Sequence, residues 1–386
     1  MKWINRGHEY DEQYQNWQEK NIYIYGGGEI GNCILKELMF DKHIKAVIDT
    51  NKKGVISTIP IISPDKFFMD VSCDDSILIL AFSGADIDQV RARCEKYGYD
   101  FGRNLFIADR EFELYKLPKI LVYLSNKVFF YACGVNVTER CTLKCKECTM
   151  SIPYIQEPSD LSLETLTTDI DTLFSKVDYV KDLQLLGGEP FLNPNLSEFI
   201  RYLREKYESR TGRIVIYTNG TVELSDSILK ILRESDVLVR LSDYSNISVP
   251  IAKRQEHFLN QLAKNGVRSV VLKLDFWTPY GFEKNIRKTL SENQMIDFFD
   301  SCKPGCWTIH HKKLFYCYCG HMATRRLNIL DDHDNYIDLE KDIISAKELV
   351  EWYDGFSANG YKEICRYCDG EYTMNSNRIS VAEQIE

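Results

Sequence analysis

From residue 128 onward the chain alternates short β-branched or aromatic runs with segments of helical spacing. In order these are FFYACGVNV, LETLTTDIDTLFSKV, VKDLQLL, LSEFIRYLREKY, RIVIYT, SDSILKILRES, VLVRLS, AKRQEHFLNQLAKNG and SVVLKLDFW. A strand that returns beside its predecessor after a helix runs parallel to it, so repeated units of this kind build a parallel sheet with right-handed crossovers. Such a sheet curls into a barrel or partial barrel whose chemistry gathers at the C-terminal ends of its strands. The first helix suits that place, because Leu163, Leu166, Ile170, Leu173, Phe174 and Val177 share one face.

The strand ends carry the residues that could do chemistry. The first run leads into CTLKCKEC, which places Cys141, Cys145 and Cys148 in the asymmetric CxxxCxxC spacing. Three thiolates can hold three irons of a four-iron cluster and leave the fourth for a ligand that is not protein. A structural zinc site is the alternative, although such sites close with four ligands. Gly187, Gly188, Glu189 and Pro190 follow the strand ending at Leu186. Two glycines let a backbone approach a ligand, and Glu189 with nearby carbonyls can accept hydrogen bonds from an ammonium. Thr218, Asn219 and Gly220 close the next strand, and Ser242 closes the one after. Ordinary turn chemistry is the plain alternative for these positions.

This combination resembles the radical S-adenosylmethionine (SAM) superfamily. The resemblance implies a [4Fe-4S] cluster on Cys141, Cys145 and Cys148 with SAM at its open iron. It also implies that Gly187, Gly188, Glu189 and Pro190 meet the SAM amino group, and that Thr218, Asn219 and Ser242 lie along SAM. Many members carry an aromatic residue before the third cysteine, where Glu147 stands here, so Tyr154 or Phe191 would have to pack the adenine.

A second group of cysteines, Cys302, Cys306, Cys317, Cys319, Cys365 and Cys368, exceeds the four that one cluster needs. It resembles the auxiliary-cluster extension called twitch, a short relative of the SPASM domain. That resemblance selects Cys317, Cys365 and Cys368 with Cys302, and leaves Cys306 or Cys319 as substitutes, packing residues or a hydrogen-atom donor. A zinc ribbon, joined by His310, His311 or His321, is the alternative. Cys33, Cys73, Cys94 and Cys133 read as buried small hydrophobes.

Ahead of this lies NIYIYGGGEIG, a strand running into glycines and then a helix-spaced segment. Gly26, Gly28 and Gly31 fit GxGxxG, and Asp49 ends the next strand 21 residues after Gly28, where a ribose-binding acid is expected. The segment reads as a Rossmann-like domain that binds NAD, a nucleotide-sugar or nothing at all. The expected architecture is therefore α/β in three parts. These are a Rossmann-like domain over 1–118, a partial (β/α)6 radical SAM barrel over 119–298 and a twitch-like auxiliary-cluster domain over 299–386.

Composition narrows the partners. Lys and Arg total 48 against 57 Asp and Glu, a net charge of −9, which argues against nucleic acid and anionic membrane surfaces. The polar N-terminus and the lack of a long apolar run predict a cytoplasmic protein, where nine cysteines in two metal-spaced groups stay reduced. The resemblance implies reduction by a flavodoxin or ferredoxin, then hydrogen abstraction by a 5′-deoxyadenosyl radical from a small substrate. A sugar-like substrate is favoured, with peptide modification and a zinc-binding interaction protein as alternatives. Asp243 and Asp275, at apparent strand ends, are the candidate bases.

Overall fold

The computed structural model describes residues 1–386 except Gln15, Phe40, Ala85, residues 283–286, Lys288, Lys303, Pro304, Asp331, Tyr372 and Glu386. The chain divides into two units, one of Gly7–Tyr131 with Ser345–Val350, the other of Met1–Arg6, Ala132–Ile344 and Glu351–Glu386. Among the described residues, no helix is long and apolar enough to cross a membrane.

The first unit holds β1 (Asn21–Tyr25), β2 (Ile44–Ile48), β3 (Val55–Ile56), β4 (Ile59–Ile62), β5 (Ser76–Leu80) and β6 (Leu105–Ile107) in one mixed sheet of order β3-β4-β2-β1-β5-β6. Every pairing from β4 to β6 is parallel, and only the short β3 runs against its neighbour. The strands are nearly continuous hydrophobic runs because helices pack on the sheet. Tyr25, Ile48, Phe67, Leu78, Leu80 and Cys94 form one core cluster. The helix Glu29–Glu37 buries Gly31, Ile34 and Leu35, which leaves Cys33 on its other face. Cys33 is exposed and Cys73 half-buried, so only Cys94 and Cys133 of the four lone cysteines are buried hydrophobes. Helical phase corrects the expectation for Cys33.

The second unit is built on the part of β7 (Phe129–Thr138) from Ala132 onward, β8 (Tyr179–Gly187), β9 (Thr211–Thr218), β10 (Leu238–Ser242) and β11 (Ser269–Leu272). Strands β8 to β11 pair in parallel, with a helix before each of the last three. Serine ends three of the strand-to-helix loops. Ser162, Ser225 and Ser248 each accept the backbone N–H of the third helical residue, at Thr165, Ile228 and Ile251. Each such cap stabilises its helix by about 1 kcal/mol. Leu166, Ile170, Leu173 and Phe174 of the first helix are buried, as its apolar face requires.

On the other side of β7 the sheet continues with β12 (Thr308–His310), β13 (Lys313–Phe315) and β14 (Tyr336–Asp338), giving the order β11-β10-β9-β8-β7-β12-β13-β14. Strand β12 lies parallel to β7, and β12, β13 and β14 then alternate direction. His311 and Lys312 turn the first hairpin with φ of 49° and 62°. Both central residues at positive φ match the twist of the flanking strands. Asp169, buried on the first helix, accepts the N–H groups of His311 and Lys312 at 2.9 and 2.6 Å. The helix Leu163–Phe174 thus holds the turn of the C-terminal hairpin.

Candidate functional site

The ends of β7, β8, β9 and β10 meet around a cavity of about 670 Å³. Cys141, Cys145 and Cys148 line it together with Gly187, Gly188, Thr218, Asn219 and Ser242. Most candidate positions at the strand ends are therefore brought to one wall. Glu189 and Pro190 are buried and do not line the cavity.

The two glycines are demanded by the protein's own backbone. A Cβ on Gly188 would sit 2.2 Å from the Arg140 carbonyl oxygen, and one on Gly187 would sit 2.5 Å from that of Thr138. The N–H groups of Gly188 and Glu189 donate to those same two carbonyls at 2.9 and 2.8 Å. The turn after β8 is thereby fastened to the exit of β7, immediately before Cys141. Glu189 turns inward and accepts Thr218 Oγ1 at 2.8 and 2.9 Å and the Asn219 N–H at 2.8 Å. Burial pushes its carboxyl up to about 7 against these hydrogen bonds. Glu189 is the rivet between the two strand ends. At the third strand end Asn219 Nδ2 reaches Cys141 Sγ at 3.5 Å.

The thiol triplet fits an iron–sulfur cluster by its donor set. All three sulfurs belong to free cysteines that line the cavity, and N–H groups approach all three, those of Met150, Ser151 and Ile152 at Cys148. Leu143 N–H and Asn219 Nδ2 each lie 3.5 Å from Cys141 Sγ, and Gln384 Nε2 lies 3.3 Å from Cys145 Sγ. Burial pushes the Cys141 thiol up to about 11 and the Cys145 thiol up to about 12, so these groups ionise when a metal binds them.

The six C-terminal cysteines share a second neighbourhood. Cys306 and Cys317 lie 3.9 Å apart, sulfur to sulfur, and Cys317 caps the helix Tyr318–Leu327 that carries Cys319. The Cys317 and Cys319 thiols hold Cys306 below the usual thiol range. The short helix Glu363–Tyr367 brings in Cys365 and leads to Cys368, whose sulfur accepts the Gly370 N–H at 3.2 Å. Burial pushes Cys302 up to about 12, with the charge of Cys365 among the lesser causes, and Cys365 up to about 11. Lys362 is fully buried beside them; its ammonium lies 5.1 and 5.0 Å from the Phe299 and Tyr316 ring centroids and has no hydrogen-bond partner among the described residues. Burial brings it down to about 8. The charges of Asp334, Cys365, Asp332 and Cys317 favour the ammonium, and an anionic thiolate-bound cluster would add to them. Among the described residues, no three Cys, His, Asp or Glu side chains converge as the ligands of a single ion.

Of the six, Cys306 and Cys319 line the same cavity as the triplet. Other candidates lie elsewhere. Asp243 pairs with Lys273 at 3.8 Å and Asp275 is exposed, and neither lines the cavity. Tyr154 lies under Arg326 and Phe191 packs edge-on to Phe258, both off the wall. His310, His311 and His321 line a separate cavity of about 350 Å³ with Glu139 and Arg325. Sequence reasoning missed the aromatic wall of Tyr217, Tyr244, Trp277, Tyr280 and Tyr318. Only Tyr244, two residues beyond Ser242, carried a signal, since it follows a strand end.

In the first unit, Gly28 caps the helix Glu29–Glu37, and a Cβ there would meet nothing within 4 Å. Gly31 is different, because its Cβ would fall 1.9 Å from the Gly26 carbonyl oxygen. Asp49 is turned onto the loop itself. Its carboxylate accepts the N–H groups of Gly27, Asn51 and Lys52, each at 2.9 Å, and Lys52 Nζ donates to the Gly27 carbonyl.

Comparison with known proteins shows what the region around the site is similar to. Residues 135–254 match the family model of the Radical SAM superfamily. Fe-coproporphyrin III synthase of Methanosarcina barkeri is 39% identical over 87 residues, covering 22% of this chain and 20% of that protein. The antilisterial bacteriocin subtilosin biosynthesis protein AlbA of Bacillus subtilis is 31% identical over 97 residues, covering 24% of this chain and 19% of that protein. The chain thus spans about a fifth of the length of these curated relatives. The crystal structure of BtrN in complex with AdoMet and 2-DOIA aligns with a TM-score of 0.38 at 16% identity, over 66% of this chain and 100% of that one. The stretch that matches the Radical SAM superfamily model, residues 135–254, carries the thiol triplet and the glycine turns after β8 and β9.

Proposed function

We propose that this chain is a radical SAM enzyme that oxidises or epimerises a small hydroxylated molecule, a sugar, nucleotide-sugar or aminocyclitol. The single cavity that gathers the triplet, the glycine turn and Asn219 carries the reading. In it Cys141, Cys145 and Cys148 hold a [4Fe-4S] cluster, and Gly187, Gly188, Thr218, Asn219 and Ser242 seat SAM. Glu189 and Pro190 hold that seat from behind. When bound, cluster and SAM supply a 5′-deoxyadenosyl radical that takes a hydrogen atom from a substrate C–H bond. Cys302, Cys317, Cys365 and Cys368 hold an auxiliary [4Fe-4S] cluster, with Lys362 as buried counter-charge.

The remaining wall favours a small polar ring. Tyr217, Tyr280, Thr278 and Thr308 offer hydroxyls, and Tyr244 and Trp277, packed edge to face with ring centroids 5.9 Å apart, offer aromatic surface. A cavity of about 670 Å³ shared with SAM suits a small molecule better than a folded partner. Cys306 and Cys319 face the same space, so whichever is not a cluster ligand is placed to return a hydrogen atom. The Rossmann-like first unit, through Gly26, Gly28, Gly31 and Asp49, would bind NAD or a nucleotide-sugar. A flavodoxin or ferredoxin would supply the electron.

One observation favours peptide modification as a second reading. Strand β11 is the sheet edge, and Val270, Val271, Leu274 and Phe276 along and beyond it are exposed, as a strand-adding peptide would need.

Anaerobic reconstitution tests the proposal. Two four-iron clusters give about eight irons per chain with absorbance near 400 nm. The reduced protein should then form 5′-deoxyadenosine from SAM. Stoichiometric zinc without iron would overturn the enzyme reading. Turnover of a sugar or aminocyclitol panel against a peptide panel decides the substrate class.

A further inference from the structure

The segment 379–385 lies along the cysteine loop as an added strand. Lys146 N–H donates to the Glu383 carbonyl at 2.7 Å, and Ile385 N–H donates to the Lys144 carbonyl at 2.8 Å. Ala382 is fully buried in a cluster with Leu143 and Cys145. The same segment also holds Trp277, which lines the cavity and packs against the same cluster. Ile379 and Trp277 exchange two backbone hydrogen bonds of 3.0 Å. One strap therefore ties the thiol loop to an aromatic residue of the cavity.

Its key side chain is Gln384. The amide oxygen accepts Lys144 N–H at 2.8 Å, and the amide nitrogen donates to the Ala382 carbonyl at 2.6 Å. Reversing the amide would set N–H against N–H and oxygen against oxygen, so these two bonds fix which atom faces the cysteine. The nitrogen does, at 3.3 Å from Cys145 Sγ. Cys145 is only 8% exposed, so this contact is made with little competition from water.

We propose that Gln384 is a positioning residue that donates its amide N–H to the Cys145 sulfur and raises the reduction potential of the cluster on the triplet. The inference rests on the radical SAM reading. An N–H aimed at a ligand sulfur stabilises negative charge there, and the reduced cluster carries more of it than the oxidised one. The strap also shields that sulfur from solvent.

The test separates donation from anchoring. Gln384→Glu keeps an oxygen for Lys144 N–H and loses both amide N–H groups, whereas Gln384→Leu loses everything. After anaerobic reconstitution, the potential is read by EPR-monitored titration of the cluster whose signal SAM alters. Both variants should retain wild-type iron content and shift to a more negative potential, the Glu variant at least as far as the Leu variant. Potentials equal to wild type in both, or a shift in the Leu variant alone, would overturn donation. In a second arm the metal-free chain is alkylated with iodoacetamide, and modification at each cysteine is followed by mass spectrometry. Ala382→Glu, which expels the strap, should raise alkylation of Cys145 several-fold while Cys365 and Cys368 keep their rates. Unchanged Cys145 reactivity would overturn the shielding. A wild type that takes up no iron sinks the functional reading and the tuning with it, and leaves the strap to be judged on alkylation.

Discussion

The two glycine-rich turns of this chain, after β1 and after β8, solve the same backbone problem with different consequences. In both, a glycine is forced by a carbonyl oxygen about 2 Å from where its Cβ would be, Gly31 against Gly26 and Gly188 against Arg140. In both, a carboxylate collects backbone N–H groups, Asp49 from Gly27, Asn51 and Lys52, Glu189 from Asn219 and Phe191. At β1 the acid and Lys52 fold back over the turn and close it. At β8 the acid points into the core, and the glycines face a cavity that three thiols also line. A glycine turn by itself is therefore scaffolding, and the donors gathered around it decide whether it is a site.

Substitutions can break or sharpen that contrast. Cys145→Ala should have the largest effect, abolishing iron uptake at the triplet and reducing 5′-deoxyadenosine formation to background, measured by iron assay and chromatography. Gly31→Ala and Gly188→Ala should each cost about 3 kcal/mol or more in chemical denaturation, because backbone has to move in both places. Glu189→Gln should alter pH dependence. The buried carboxyl titrates near 7 in the folded chain and near 4.5 when unfolded, so the unfolded state binds fewer protons between those values. Stability of the metal-free protein should then fall as pH rises from about 4.5 to about 7, by an amount on the order of 3 kcal/mol, and the Gln variant should lose that slope. Asp49→Asn should cost about 1–2 kcal/mol in the first unit through its unpaired loop N–H groups and leave iron content at the triplet unchanged. Gly28→Ala should be nearly silent in stability, within about 0.5 kcal/mol, since its Cβ enters open space. If it nonetheless abolishes nucleotide binding by calorimetry, the first turn is a site after all.

Much of this contrast was legible in the residues. The alternation that begins at FFYACGVNV marks strands that appear as β7 to β11, because burial on both faces of a parallel sheet leaves a continuous apolar run. The cysteine spacing and the glycine pairs are equally local. The direction of Glu189 was not legible, since an acid after two glycines can face a ligand or a neighbouring strand end with the same sequence. Nor was the aromatic wall, because Trp277 and Tyr280 sit in irregular backbone with no periodicity to announce them. Gln384 is 239 residues from the sulfur it touches, and nothing in its own neighbourhood signals that contact.

The sequence by itself determined which segments are strands and helices, where their caps fall and which thiols are spaced for metal. Those properties depend on neighbours a few residues apart, through hydrogen bonding and hydrophobic period. Only the tertiary structure decided that Cys306 and Cys319 share a cavity with the triplet, that β12 adds to the free edge of β7, and that the 379–385 strap covers Cys145. Such juxtapositions are set by sheet order and by the packing of segments distant in the chain, which no local pattern encodes.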